Sequence, residues 1–215
     1  MSTLYFPSCR YKALSPENSQ KLQSYLKKRF GMETIGCCSV DGGKPTGEDT
    51  AVFNCPTCAV TIEEAAPAAK RVSVYEYLAA DESFPWPDYK GEKMTIQDCW
   101  RTAEERKMQE AIRVMLRKMN IDVVELENNY EKSDFCGVSL YWSNKNRSVK
   151  LAQRLATDSR FSPLSEEEQQ EKMKDHAAKN YKTPKVICYC KACMNGVQMG
   201  GHEPIHVLDL VAAGL

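Results

Sequence analysis

The chain has 215 residues, ten of them cysteine, and its 29 Lys and Arg balance 29 Asp and Glu to a formal charge of zero. That balance argues against a nucleic acid or an anionic membrane recognised through bulk charge, and the longest unbroken apolar run, Val186 to Cys190, is far short of the about 20 residues a spanning helix needs. The length permits one large domain or two small ones with real cores, and no basic segment precedes Pro7 and Cys9 to open a secretion signal, so the expected location is cytoplasmic and the thiols are expected to be metal ligands or redox groups rather than staples.

In chain order, Leu4 to Pro7 reads as a short buried strand that delivers Cys9 to its C-terminal end. A helix opens at Ser15-Pro16-Glu17, with Ser15 as cap, carries Leu22, Tyr25, Leu26 and Phe30 at helical spacing, and stops at Gly31. A strand through Thr34 and Ile35 ends at Cys37-Cys38, and a third, Thr50 to Phe53, ends at Cys55 just before a helical stretch that carries Cys58. Gly42, Gly43, Pro45 and Gly47 forbid a stable helix between these two strands. Sites in open α/β sheets form beyond the carboxyl ends of strands, so cysteines distant in sequence are placed to converge.

The stretch Asp81 to Glu92, with Phe84-Pro85-Trp86-Pro87 and Gly91, reads as a linker. It gives a first cysteine-rich repeat over residues 1–83, a linker over 84–92 and a second repeat over 93–215. Met94 to Ile96 is a strand ending at Cys99, and the helix after it carries the stripe Met108, Ala111, Ile112, Met115, Leu116 and Met119, whose methionines read as core filling. Asp122 to Leu126 is the next strand, and Cys136-Gly137 follows a polar loop. Val149 to Asp158 and Ser165 to Lys179 are both helical in pattern, with Glu166-Glu167-Glu168 as a solvated first turn. Val186 and Ile187 lead into Cys190-Lys191-Ala192-Cys193, and the closing run Val207 to Ala213 matches Val74 to Ala80 at the end of the first half. Cys55 and Cys190, like Cys58 and Cys193, stand 135 residues apart and the two closing runs 133, so the chain is an internal duplication.

These residues resemble the CCG-domain (cysteine-rich domain) family, whose best-known member is the catalytic subunit of heterodisulfide reductase. The likeness rests on a strand followed by Cys9, the Cys37-Cys38 pair, Cys55-Pro56-Thr57-Cys58, Gln97-Asp98-Cys99, Cys136-Gly137, Cys190 to Cys193, and the closing run of each copy. The resemblance implies an α/β protein of two pseudo-repeated Rossmann-like halves with parallel sheets and cysteines at strand C-terminal ends. It further implies a non-cubane [4Fe-4S] cluster held by Cys9, Cys37, Cys38, Cys55 and Cys58, an activity on a disulfide or thiol substrate, and an electron-donating iron–sulfur or flavin subunit as partner. In the second copy Phe135 occupies the place of the first cysteine of the pair, leaving Cys99, Cys136, Cys190 and Cys193, a set that also suits a cubane cluster or a zinc ion. Cys188 is either a fifth ligand there or a buried strand cysteine. Ser39 stands where the motif's glycine is expected.

Three other readings compete. Cys55-Pro56-Thr57-Cys58 alone suits a thioredoxin-like dithiol, but leaves eight cysteines unexplained. A non-catalytic electron-transfer or assembly subunit holding an iron–sulfur cluster or zinc is the main alternative. His202-Glu203-Pro204-Ile205-His206 matches the zinc-protease pattern, which requires a helix that Pro204 and Gly200-Gly201 oppose. Gly196 to Gly201 has the wrong spacing for a dinucleotide loop.

Overall fold

The computed structural model describes residues 2–142 and 148–215. The chain forms two compact units, one of Met1–Pro87 with Leu208–Leu215, the other of Asp88–Val207.

In the first unit β1 (Thr3–Phe6) leads into α1 (Cys9–Leu14) and α2 (Pro16–Phe30), then β2 (Glu33–Thr34), a single turn α3 (Cys38–Asp41), β3 (Thr50–Phe53), α4 (Pro56–Ala65), β4 (Lys70–Ser73) and α5 (Val74–Ala80). The strands are all parallel, in the order β2-β1-β3-β4. Leu4 to Phe6 and Ala51 to Phe53 are buried, as strands covered on both faces must be. α2 begins at Pro16 as the pattern requires and ends at Gly31 with φ 67°, a left-handed C-terminal residue that glycine adopts without cost.

The second unit repeats this order with β5 (Lys93–Ile96), α6 (Arg106–Lys118), β6 (Asp122–Val124), α7 (Val149–Thr157), α8 (Glu166–Asn180), β7 (Lys185–Cys188), α9 (Lys191–Met199) and β8 (Glu203–His206). Its strands are also parallel, in the order β6-β5-β7-β8. Met108, Met115 and Met119 of the α6 stripe are buried core. Ser165 and Glu168 form a reciprocal capping box, which fixes the acidic turn Glu166 to Glu168 as the solvated start of α8. Each half is thus a Rossmann-like α/β layer, and none of the described helices is long and apolar enough to cross a membrane.

Several boundaries differ from the pattern. α1 has no periodicity to announce it, and β4 and β8 are half-exposed edge strands. α10 (Val207–Ala212) closes the second copy in sequence, yet residues 208–215 cluster with the first unit. Residues 84–87 also stay there, with Phe84 buried between Tyr25 at 4.9 Å and Trp86 at 4.4 Å.

The segment that lengthens the second half has a packing role. Phe135 stacks on His176 of α8 at 4.3 Å, and Tyr181 sits edge-on between His176 and His202. A side chain on Gly196 of α9 would strike the Phe135 ring, so the aromatic fills its space completely. Burial holds the His176 imidazole down at about 4, below its ordinary 6.5. The unfolded chain therefore binds a proton at His176 that the folded chain refuses between those values, and stability drains as pH falls from 6.5 towards 4. Urea unfolding at pH 7.5 and 5 will show a loss on the order of 1–3 kcal/mol at the lower pH that His176→Gln reduces; equal pH dependence in both proteins would contradict it.

Candidate metal centres

In a sheet ordered 2-1-3-4 the crossovers leave in opposite directions at the first and third strands, opening a crevice at their carboxyl ends. Cys9 follows β1 and Cys55 follows β3, while Cys99 follows β5 and Cys190 follows β7. The thiols flank the switch point of each sheet.

In the second unit Cys99, Cys136, Cys190 and Cys193 bring their sulfurs within 4.8 Å of one another. Cys99 and Cys136 are 3.5 Å apart and Cys136 and Cys190 4.0 Å. Three of the four are fully covered and Cys190 is 8% exposed. A tetrahedral ion with metal–sulfur bonds of about 2.3 Å sets its sulfurs roughly 3.8 Å apart, so these four residues can hold a single metal ion. Cys190 caps α9 and Cys193 lies in its first turn. Burial pushes the Cys99 and Cys193 thiols well up. The Cys136 thiol is held well below its ordinary value by hydrogen bonds from Cys190, Cys193 and Cys99, against the opposing effect of burial.

Two supports keep this geometry. Gly137 has φ 54°, and a side chain there would collide with the backbone carbonyl of Ala192; only glycine lets the Cys136 turn press against the start of α9. The matched Ser39 lies inside α3 and has no such need. Beneath Cys99, buried Asp98 accepts both terminal nitrogens of Arg113, at 3.1 and 2.7 Å, the Tyr189 hydroxyl at 2.8 Å and the Tyr130 amide at 2.8 Å. Tyr189 in turn accepts the Cys99 amide at 3.0 Å. Asp98 thereby fixes both Cys99 and the loop that leads to Cys136. Gln97 ties the same strand end to the aromatic column, accepting from the Tyr181 hydroxyl at 2.9 Å.

Sequence reasoning missed Arg101. Its Nε donates to Cys136 Sγ at 3.2 Å and its guanidinium reaches Ser139 Oγ at 3.4 Å. A cation two residues after Cys99 was the available signal. Cys188 is not one of the four: it is fully buried at the end of β7, opposite His206 of β8 in the parallel register. That register also puts His206 in a strand, so His202 to His206 is no helical metal pair; His202 Nδ1 lies instead 3.0 Å from the Thr183 carbonyl.

The five thiols of the first unit influence one another's protonation in a chain, Cys9 with Cys37, Cys37 with Cys38, Cys38 with Cys58, and Cys58 with Cys55. Among the described residues, no three of these sulfurs share the mutual 4.8 Å spacing of the second set. Cys9 is exposed and Cys37 and Cys55 partly so, whereas Cys38 and Cys58 are buried. The Cys58 thiol donates to both neighbours, and this contact draws Cys55 down to about 6 and Cys38 to about 7; the amides of Cys58 and Thr57 and the Ser8 hydroxyl add to the effect at Cys55. Ser8, just before Cys9, is buried in a left-handed conformation at φ 53°, the kind of backbone strain found where a site holds the chain.

No family model matches the chain, and no curated protein sequence matches it.

Removing Asp98 leaves Arg113 buried against half its partners. Asp98→Ala will cost about 3–5 kcal/mol of folding stability by urea unfolding, and a loss below 1 kcal/mol would refute the anchoring role. Arg101→Gln will weaken metal retention by the second centre about ten- to a hundredfold in competition with a chelator, since groups bonded to ligands carry that much affinity; unchanged retention would refute it.

Proposed function

We propose that the protein is an iron–sulfur oxidoreductase subunit of the cysteine-rich-domain type, similar to the catalytic subunit of heterodisulfide reductase, which reduces a disulfide at the five-thiol centre of its first unit. The observation that carries this reading is the contrast between the two thiol sets: one closed, with the spacing of a single tetrahedral ion, the other wider and open to solvent through Cys9, Cys37 and Cys55. Structural sites are closed and catalytic sites keep an open position.

The residues fit these groups. Five thiols exceed what one tetrahedral ion takes, and their linked but extended arrangement suits a larger cluster, with Cys38 and Cys55 already drawn towards thiolate. The second set suits zinc as it stands; a cubane cluster, which holds its thiolates farther apart, requires the four to spread. When bound, a non-cubane [4Fe-4S] cluster supplies single electrons and iron that can take up a substrate sulfur. The chain's own part is to hold that group at the switch point and leave one side open. Cys55, at the cap of the ten-residue α4, meets the free amides of Thr57 and Cys58. The Ser8 hydroxyl steadies the same sulfur. Cleavage of one disulfide consumes two electrons and two protons and yields two thiols, the electrons coming from a separate iron–sulfur or flavin subunit in the cytoplasm.

The closed second set also favours a second reading, a non-catalytic iron–sulfur or zinc-binding electron-transfer or assembly subunit. Anaerobic reconstitution with ferrous iron and sulfide, followed by addition of thiols, separates the two, since a non-catalytic subunit gives no spectral response to them. The first reading expects brown protein with iron and acid-labile sulfide, a spectral response to added thiols that Cys38→Ser abolishes and Cys136→Ser spares, and no turnover with NADH or NADPH alone. Colourless protein with zinc and no iron would refute the first reading and leave the zinc-binding form of the second.

A further inference from the structure

Residues 208–215 follow the last strand of the second copy, yet they belong to the compact unit that holds the five thiols. Within them Asp209 collects three side-chain donors. Its Oδ1 accepts from the Tyr11 hydroxyl at 3.0 Å and the Asn18 amide at 2.8 Å, and its Oδ2 from the Ser15 hydroxyl at 3.0 Å. These donors come from the middle of α1, from the junction of α1 and α2, and from the first turn of α2. Cys9 is the first residue of α1.

We propose that Asp209 is a positioning residue for the first metal centre: it clamps the short helix that presents Cys9, so that the closing segment of the second copy completes the site of the first. The proposal rests on the reading of the five thiols as a metal centre. A helix of six residues cannot sustain itself in water, where isolated helices shorter than about 12 residues are marginal. Cys9 is exposed, whereas Tyr11, two residues on, is 2% exposed and carries the contact to Asp209. Ser15 makes no cap bond to α2 with its side chain, and its hydroxyl donates to Asp209.

The duplication supplies an internal control. Glu76 matches Asp209 at the 133-residue offset of the closing runs. In the first copy the Glu76 carboxylate bonds the Ser73 amide at 3.0 Å and hydroxyl at 2.7 Å, in a capping box that starts α5. His206 stands where Ser73 does, so the shorter carboxylate at 209 has no hydroxyl at that place to engage. It turns to α1 and α2.

The test uses the full chain, reconstituted anaerobically with ferrous iron and sulfide, as wild type, Cys9→Ser, Asp209→Ala, Asp209→Asn and Tyr11→Phe. Iron retained against a chelator is measured together with the metal held by Cys99, Cys136, Cys190 and Cys193, which reports that the second unit is intact. Asp209→Ala is expected to weaken iron retention about ten- to a hundredfold, the range for groups that orient ligands, and to reproduce the direction of Cys9→Ser; Tyr11→Phe, which removes one donor, should produce a smaller loss in the same direction. If Asp209→Ala fails to fold, Asp209→Asn and Tyr11→Phe decide. Wild-type retention in these variants beside a loss in Cys9→Ser would overturn the clamp and leave the metal-centre reading intact. Iron retention indifferent to Cys9→Ser would overturn both.

Discussion

Four sulfur atoms within 4.8 Å of one another and closed from water cannot all be thiolates unless positive charge lies among them. Two unit charges 4 Å apart repel by about 4 kcal/mol even at an effective dielectric of 20, and four sulfurs make six such pairs. A protein that folds its thiols into this arrangement either leaves most of them protonated or binds a cation. The residues around the four sulfurs fit the cation. Its backbone is shaped around the four sulfurs by Gly137, its ligand strand is anchored by Asp98, and Arg101 lies against one sulfur. Charge compensation and close approach are what the surrounding residues supply.

The two copies solve the same topological problem differently. Both use a parallel sheet of order 2-1-3-4, so both deliver cysteine to the crevice where the crossovers diverge. In the second, the added helix α8 packs His176 on Phe135, the residue that matches Cys37 of the first copy. In the first, the loop is too short for such a covering element, and α3 ends after one turn against Gly42, where a side chain would meet the Cys38 carbonyl. The second set of thiols is consequently enclosed and the first is partly open to solvent.

Much of this was legible in the sequence. Parallel strands buried on both faces read as short apolar runs, and each major run ends near a cysteine, so the strand ends and the cysteine groups follow from pattern alone. The edge strands did not follow, because Arg71 in β4 and Pro204 in β8 dilute the apolar signal. α1 was hidden by its brevity. Asp98 with Arg113, Tyr189 with Cys99, and Asp209 with Tyr11 join residues far apart in sequence, and no local periodicity reports such pairs. The duplication itself misled at one point: matching sequence assigns 208–215 to the second copy, whereas its neighbours in space belong to the first. Repeats in sequence record descent, and packing need not respect their borders.

In the proposed reading the switch points of the two sheets hold metal centres of unlike kind. Anomalous X-ray scattering from a crystal of anaerobically prepared protein, recorded on either side of the iron and the zinc absorption edges, tests it at atomic positions. The expected result is a single peak enclosed by Cys99, Cys136, Cys190 and Cys193, strongest at the zinc edge, and a multi-atom iron peak among Cys9, Cys37, Cys38, Cys55 and Cys58. Scattering by neither metal at either place, or one identical centre in both units, would contradict it.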